Sequence, residues 1–416
     1  MQIFNKTYEN GLRLVFEKTQ SNVIGVNYLF NVGSRNERKD EEGLSHFIEH
    51  LMFKTSQKFT TEEIMDKLTF YGADFNAYTS KTMTRYVFKC LSESFEKCFE
   101  IYADMLISPK LIDDEIDKER NVVVEEMKKF ADSPSEVAYE NVMNNFYHGQ
   151  SYAHDELGSE SIIMNVSRDT LLNYKNKHYT ADNCIISIVG NLEFDEVDRV
   201  VKTYFADEFP VKTKPKELDK TELLPTIAKK LNVIERPDNQ ANVCIRIAGT
   251  IQNKEIAEIY TSILGSSQNS RLYKVIREEL GLVYSIYAVG DTNYLMGSIV
   301  IMFGTRPKNV AKAVMKIKQI LKELADGGIS AEELERAKNW RKSVLEFASE
   351  TSSDKAETNG TQINVYGKVI SKEEKIKKLE SVTLEDVTAY AKRIYNEDNF
   401  CLTAVGKGLD EQKIKF

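Results

Sequence analysis

A twelve-residue stretch of the chain recurs 216 positions later, and this repeat limits the fold more than any other feature. Segments 179–190 and 395–406 share Tyr, Asp, Asn, Val and Gly at matching places. A helical pattern precedes each copy, at 169–178 and 384–394, and each copy reads as a strand entered by a turn. We therefore predict a tandem duplication, in which two homologous halves share one architecture.

The residues between the halves have the composition of a linker. They are polar, and Pro210, Pro215 and Pro225 interrupt them. The 416 residues also exceed what one ordinary core accommodates. We predict two domains, 1–209 and 229–416, joined by a linker at 210–228.

Each half combines short strands with amphipathic helices. Predicted strands cover 12–17, 23–32, 75–91, 184–189, 231–235, 243–247, 283–289, 298–303 and 401–405. Predicted helices cover 42–54, 61–71, 92–107, 112–131, 194–206, 253–264, 308–325, 330–349 and 383–394. Because strands and helices are grouped rather than strictly alternating, we predict the α+β class. Each half should be an α/β sandwich, with an antiparallel-rich sheet packed with helices.

The composition excludes several classes of partner. The net charge of -8 argues against nucleic acid, which needs an excess of Lys and Arg. No stretch approaches 18 consecutive apolar residues, and residues 1–6 lack the basic start and apolar run of a secretory signal. Five scattered cysteines suit buried thiols better than disulfides. We expect a soluble cytoplasmic protein without a membrane partner.

The most informative motif for function is His46-Phe47-Ile48-Glu49-His50. On a helix, residues four apart stack one turn from each other and the residue at three lies beside them. Both imidazoles can therefore reach one ion, while the carboxylate reaches its bound water. The order His-x-x-Glu-His is an inverted zinc-peptidase motif. The alternative is an amphipathic helix with two histidines at its polar edge.

A catalytic zinc site needs a third protein ligand and one open position. The third ligand should be a carboxylate or histidine from another element. In the helical segment 113–129, Glu119 and Glu126 are seven residues apart and share a face. Val122, Val123 and Met127 predict a buried stripe on this helix. Spacing alone leaves both carboxylates as candidates.

Four separate motifs together resemble the pitrilysin/insulinase family of inverted-motif zinc peptidases, in particular its bacterial members similar to mitochondrial processing peptidase. The motifs are residues 45–53, the helix ending Glu125-Glu126-Met127, Asn76-Ala77-Tyr78-Thr79, and Ser270-Arg271-Leu272-Tyr273 with Arg277 and Tyr284. The resemblance spans nearly the full chain. It implies one Zn²⁺ per chain, held by His46, His50 and Glu126. It also implies Glu49 as the general base and Glu119 as a supporting carboxylate. The alternative for Glu119 is a solvated carboxylate on the helix surface, because exposed helical glutamates are common.

The resemblance further implies substrate-binding residues in both halves. Asn76 and Ala77 match an edge strand that pairs with an extended peptide, whereas the alternative is an ordinary core strand. Arg277 and Tyr284 match residues that contact the substrate near the scissile bond. Their alternative is a helix ending at Gly281, with Arg277 solvated and Tyr284 half-buried.

All five histidines lie in the first half, so the second half cannot repeat the histidine site. Members of the resembled family build a closed chamber from four half-domains, and this chain supplies two. The resemblance therefore implies a homodimeric zinc endopeptidase that cleaves short or unfolded peptides. The alternative function is a non-catalytic or partner-dependent subunit of a heterodimeric processing peptidase.

Overall fold

The computed structural model of the chain describes residues 2–209 and 212–415. Pro210 and Val211, the first residues of the predicted linker, lie outside the described residues, as do Met1 and Phe416. The strands are β1 Gln2–Thr7, β2 Arg13–Lys18, β3 Val23–Phe30, β4 Asp74–Thr79, β5 Thr84–Leu91, β6 Cys184–Gly190, β7 Leu231–Glu235, β8 Ala241–Ala248, β9 Val283–Thr292, β10 Gly297–Thr305 and β11 Phe400–Gly406. The helices are α1 Leu44–Met52, α2 Thr61–Phe70, α3 Phe95–Ile107, α4 Asp113–Ala131, α5 Pro134–Phe146, α6 Glu160–Asn165, α7 Arg168–His178, α8 Phe194–Tyr204, α9 Lys254–Leu264, α10 Val310–Ala325, α11 Ala331–Phe347, α12 Ser352–Tyr366, α13 Lys372–Ser381 and α14 Leu384–Ile394.

The described residues form two sheets that share the order of five strands, and β1 adds a sixth strand to the first sheet. The first sheet has the order β1-β2-β6-β3-β5-β4, and the second has the order β7-β11-β8-β10-β9. In each sheet one pair is parallel, β2 with β6 and β7 with β11, and the other pairs are antiparallel. The repeated segments 179–190 and 395–406 supply β6 and β11, which hold the same place in the two sheets. The predicted fold class and its duplication are confirmed.

The chain packs into two compact units that do not follow its linear order. The first contains residues up to Met127, with His154–Asp219 and Ala348–Ile370. The second contains Lys128–Ala153, Lys220–Phe347 and the residues from Ser371. Each unit therefore includes one helix from the other half of the sequence. α12 packs on β3 and β6 in the first unit, and α5 packs on β8 and β11 in the second.

The two faces of the first sheet have different chemistry. Alternate residues of β3, including Val26 and Tyr28, enter the main core beneath α1 and α3. The other face lies under α12, where buried Glu17 accepts hydrogen bonds from Lys355 and Asn359. Close approach of α12 needs glycine in β3, because a Cβ on Gly25 would lie 2.5 Å from the backbone of Ser352.

One strand prediction is wrong. Residues 75–91 form the hairpin β4–β5 rather than one strand, because the chain turns between Ser80 and Met83. The Ser80 N–H donates to the Met83 carbonyl at 2.9 Å, and the Ser80 hydroxyl donates to the same carbonyl at 3.0 Å. A serine side chain that hydrogen-bonds to the nearby backbone supports such a turn without glycine or proline. The residue types in this segment therefore did not indicate a turn.

The predicted stripe on α4 is also partly wrong. Val123 is buried, but Val122 is half exposed, and the buried positions are Ile116, Glu119 and Val123 with Val124 at the edge. The predictions likewise missed β1, α5, α6, α12 and α13. The boundaries 1–209, 210–228 and 229–416 divide the chain by its repeat and stay a prediction. Among the described residues, no helix is both long and apolar enough to cross a bilayer.

Candidate metal centre

Helix α1 presents the motif histidines, and a buried carboxylate fixes where the helix begins. Glu37 accepts hydrogen bonds from the N–H groups of Gly43 at 2.8 Å and Ser45 at 2.7 Å. Negative charge at a helix N-terminus satisfies donors that have no partner within the helix. Gly43 has a φ of +93°, which favours glycine. Burial raises the pKa of Glu37 to about 7, although these two hydrogen bonds oppose the rise.

Helix α4 carries the candidate carboxylates and is anchored at its N-terminal half. Glu115 accepts hydrogen bonds from the hydroxyls of Thr55 and Thr61, both at 2.7 Å. One turn further on, the Arg120 guanidinium donates to the Val166 carbonyl at 2.6 Å and lies over the Phe47 ring. These contacts tie α4 to the residues around α1 and set which face of α4 meets the histidines.

Three ligand atoms from the two helices form a compact triangle. The Nε2 atoms of His46 and His50 lie 3.2 Å apart. Oε2 of Glu126 lies 3.6 Å from Nε2 of His46 and 3.5 Å from Nε2 of His50. His46, His50 and Glu126 are the one group of three potential ligands found among the described residues.

The triangle fits a zinc ion. Zinc bonds of about 2.0–2.2 Å to nitrogen and oxygen, at tetrahedral angles, separate two ligand atoms by roughly 3.3–3.6 Å. The two distances to Glu126 fall within that range, and the 3.2 Å between the imidazole nitrogens is about 0.1 Å below it. Two histidines and one glutamate are also a ligand set of catalytic zinc sites, in which the fourth position takes water.

Glu119 contacts the site through the far side of one histidine. Its Oε1 lies 2.8 Å from Nδ1 of His50, and its Oε2 accepts a hydrogen bond from Nζ of Lys54 at 2.6 Å. A carboxylate that holds Nδ1–H leaves the lone pair of His50 on Nε2, toward the triangle. Glu119 is buried and does not lie on the solvated face that the alternative interpretation required.

Burial and charge act differently on the two imidazoles. Burial and the adjacent His50 ring together lower the pKa of His46 to about 3, so His46 is neutral as a metal ligand must be. Burial also opposes charge on His50, but the hydrogen bond to Glu119 and the nearby carboxylates raise its pKa. A proton and a metal ion therefore compete for His50. The pKa of Glu119 is lowered, because the bonds from His50 and Lys54 outweigh its burial.

Glu49 points to the side of α1 that faces β4. It is buried, and its Oε2 accepts a hydrogen bond from the Thr79 hydroxyl at 2.7 Å. Burial raises the pKa of Glu49, and the Thr79 bond opposes the rise. A carboxylate whose pKa is raised above its usual value is better suited to accept and return a proton.

Asn76 and Ala77 lie on β4, which is at the edge of the first sheet and pairs with β5. Because Ser80 and Met83 form a hydrogen-bonded pair of the hairpin, Ala77 and Tyr86 form a non-hydrogen-bonded pair. The Ala77 N–H donates instead to the Asn76 side-chain oxygen at 2.9 Å. Its backbone therefore faces the open edge. The edge position needed for an added peptide strand is present.

Arg277 and Tyr284 belong to the second compact unit. Arg277 lies in a π-helical segment, Tyr273–Glu279, with its guanidinium 4.6 Å from the centre of the Tyr273 ring. Tyr284 lies near the start of β9, the edge strand of the second sheet. Its side chain is exposed, and its hydroxyl accepts a hydrogen bond from Arg306 at 3.1 Å. Their predicted contact with substrate stays a prediction.

Three residues near the motif were missed by sequence reasoning. Thr79, Lys54 and Glu37 hold Glu49, Glu119 and the start of α1 respectively. Thr79 stood in the quoted Asn76–Thr79 motif, and Lys54 follows His50 by four residues. Their positions in the sequence gave no reason to assign a role to Thr79 or Lys54, because exposed Thr and Lys residues are common.

A duplicated α+β chain with this ligand set defines the class of inverted-motif zinc peptidases. Comparison with known families agrees with that class. The profile for Insulinase (Peptidase family M16) matches residues 13–159, and the profile for the Peptidase M16 inactive domain matches residues 165–340. The chain belongs to the insulinase family, peptidase family M16.

Relatives cover almost the whole chain. An uncharacterised zinc protease of Bacillus subtilis is 30% identical over 396 residues, covering 94% of this chain and 95% of the relative. A solved protease from Helicobacter pylori has a TM-score of 0.88 at 22% identity, covering 97% and 99% of the two chains. A solved M16 inactive domain from Pseudomonas fluorescens has a TM-score of 0.89 at 18% identity, covering 99% and 100%.

Proposed function

We propose that the protein is a zinc-dependent endopeptidase that hydrolyses short or unfolded peptides. The observation that carries the proposal is the triangle of His46, His50 and Glu126, with its distances of 3.2, 3.5 and 3.6 Å. Zinc bound there would polarise the scissile carbonyl and lower the pKa of a bound water toward about 7. One ion per chain is part of the proposal.

The residues around the triangle would divide the remaining work. Glu49 would take the water's proton on its carboxylate and return it to the leaving amine. The Thr79 hydroxyl would hold that carboxylate in place through Oε2. Glu119 would keep His50 in the tautomer that offers Nε2.

The edge strand β4 would bind the substrate as an added strand. Because Ala77 turns its backbone to the open edge, an incoming peptide would replace the Asn76 side chain as the partner of the Ala77 N–H. Pairing through the backbone places few demands on side chains, so cleavage would tolerate many sequences.

Metal analysis and peptide cleavage test this proposal on the purified chain. We expect one zinc per chain, and cleavage of a peptide library that stops when a chelator removes the metal. Glu49→Gln should retain zinc but lose about 10²–10⁴-fold in turnover, the usual contribution of a general base. Glu125→Gln, an exposed position on α4, is the control. Zinc-free protein, or cleavage unchanged in Glu49→Gln, would overturn the proposal.

We further propose a homodimer that encloses a peptide-sized chamber, since the chain supplies two of the four half-domains that its family assembles. Mixing Glu49→Gln chains with Tyr284→Phe chains should restore part of the activity if the sites are shared between chains. Mixed dimers that stay inactive would favour self-contained sites.

The second candidate function is a partner-dependent subunit. The observation that supports this second candidate is the similarity to a structure described as an M16 inactive domain. A chain that binds zinc, runs as a monomer in size-exclusion chromatography and cleaves peptides only after another protein is added would support this function over the first. The cytoplasmic location stays a prediction for cell fractionation.

A further inference from the structure

A pocket of about 660 Å³ lies in the second compact unit, within the half that has no histidine. Its walls come from the end of α9, the segment after it, β9 and α11. Ligand pockets in proteins typically have volumes of about 300–1,000 Å³ and are lined by apolar and aromatic groups with a few polar ones. The pocket is therefore large enough to hold part of a peptide.

The floor and walls are apolar. Ile263, Ile286 and Ala337 are buried at the floor, whereas Trp340 stands at the side with about two-fifths of its surface exposed. Large aromatic side chains left half exposed beside a cavity offer contact area at a small entropic cost. The walls favour an apolar occupant.

The charged groups that line the pocket are already paired. Glu333 accepts hydrogen bonds from Arg271 at 2.9 Å and from the Ser330 N–H at 3.0 Å. Arg336 donates to Glu332. An ionic occupant would find no unpaired partner among these groups, so an uncharged side chain fits better.

The rim offers polar groups that can bond to a peptide backbone. The side-chain amides of Gln268 and Asn269 are exposed at the rim and make no hydrogen bond within the described part of the chain. Each amide can donate to a carbonyl and accept from an N–H. An apolar floor beneath unpaired amides suits an apolar side chain together with its backbone.

The pocket lies next to the residues predicted to contact substrate. Tyr273 lines it, and the Arg277 guanidinium lies 4.6 Å from the centre of that ring. Tyr284 lies on the same strand, β9, as Ile286, two residues away. We propose that this pocket binds an aromatic or large aliphatic side chain of the peptide substrate. The inference rests on the proposed function only in taking its occupant from the substrate.

Trp340 is the one tryptophan of the chain, so intrinsic fluorescence reports directly on this pocket. The probe is the N-acetylated, C-amidated peptide Gly-Gly-Phe-Gly-Gly, with Ala or Glu replacing Phe in two reference peptides. Glu49→Gln protein serves as background, so that peptide is not consumed. We expect a saturable change in emission, with the Phe peptide binding at least about tenfold more tightly than either reference.

Two variants locate the binding. Tyr273→Ala and Gln268→Ala should each weaken binding of the Phe peptide by about threefold or more, because they remove one wall and one rim amide. Met315→Ala, which removes an exposed apolar side chain on α10 outside the pocket, should leave it unchanged. Thermal unfolding checks that each variant is folded.

Three outcomes would overturn the inference: no saturable change in emission, equal affinity for the three peptides, or binding that neither pocket variant weakens. Its failure is distinct from failure of the proposed function. Binding at Trp340 without peptide hydrolysis would support the pocket inference and refute the proposed peptidase function. Hydrolysis without binding at Trp340 would do the reverse.

Discussion

Removing the carboxylate of Glu119 should weaken zinc binding without touching a ligand. Its Oε1 lies 2.8 Å from Nδ1 of His50, its Oε2 lies 2.6 Å from Nζ of Lys54, and its side chain is 9% exposed, so water screens these contacts weakly. A hydrogen bond to a charged group contributes about 1.5–3 kcal/mol. Carboxylates that support a ligating histidine contribute about 10- to 100-fold in metal affinity, or roughly 1.4–2.7 kcal/mol. The two routes agree.

We therefore expect Glu119→Ala to raise the Kd for zinc by about 10- to 100-fold. Glu119→Gln keeps an oxygen that can accept a hydrogen bond from Nδ1 but has no charge. It should raise the Kd for zinc by roughly threefold to tenfold. Competition with a fluorescent chelator at fixed pH measures both. Glu125→Ala, an exposed glutamate on the same helix, is the matched control.

The reasoning would be refuted if Glu119→Ala and Glu119→Gln both bound zinc within about twofold of the unmodified protein. Glu119 would then be a structural helix carboxylate, as the simpler interpretation held. A Glu125→Ala protein that lost as much affinity as Glu119→Ala would point instead to the overall charge of α4. Thermal unfolding without metal separates either result from a loss of folding.

Three further predictions concern stability. Gly25→Ala should lower the free energy of unfolding by about 1–3 kcal/mol in denaturant titration, because its Cβ would meet the backbone of α12. The control is Gly290→Ala, whose Cβ would lie at ordinary contact distances. Equal losses in the two variants would count against the close packing of α12. Arg246→Ala should lower the free energy of unfolding by about 3–5 kcal/mol, because the fully buried guanidinium donates to Asp291 at 2.8 Å and Ser298 at 2.6 Å. A decrease of less than about 1 kcal/mol would contradict this prediction. Burial and the charges of Lys177 and Lys216 lower the pKa of His178 to about 4. As pH falls from about 6.5 to 4, the unfolded chain therefore binds a proton that the native state does not, and the free energy of unfolding declines. His178→Phe should make Tm depend less on pH over this range. If Tm falls equally with pH in the variant and the unmodified protein, His178 does not cause the decline.

Local patterns were enough to predict the class of the fold and the chemistry of the motif. The repeat predicted that β6 and β11 would hold the same place in two sheets, because the same residues at the same spacing form the same elements. The spacing of His46, Glu49 and His50 predicted one helical face, since the period of a helix is fixed by its backbone. Both are properties of short segments.

Contacts between distant segments could not be read in this way. Spacing left Glu119 and Glu126 as equal candidates, and only the packing of α4 on α1 places one carboxylate in the triangle and the other behind His50. The same holds for α12, whose sequence gives no sign that it packs on β3, a strand more than 300 residues earlier in the chain. The edge position of β4 depends on every other strand of its sheet, and the pocket beside Trp340 depends on four separate segments. A sequence determines periodicity and residue chemistry locally, whereas neighbours in space follow from the burial of all the apolar faces together.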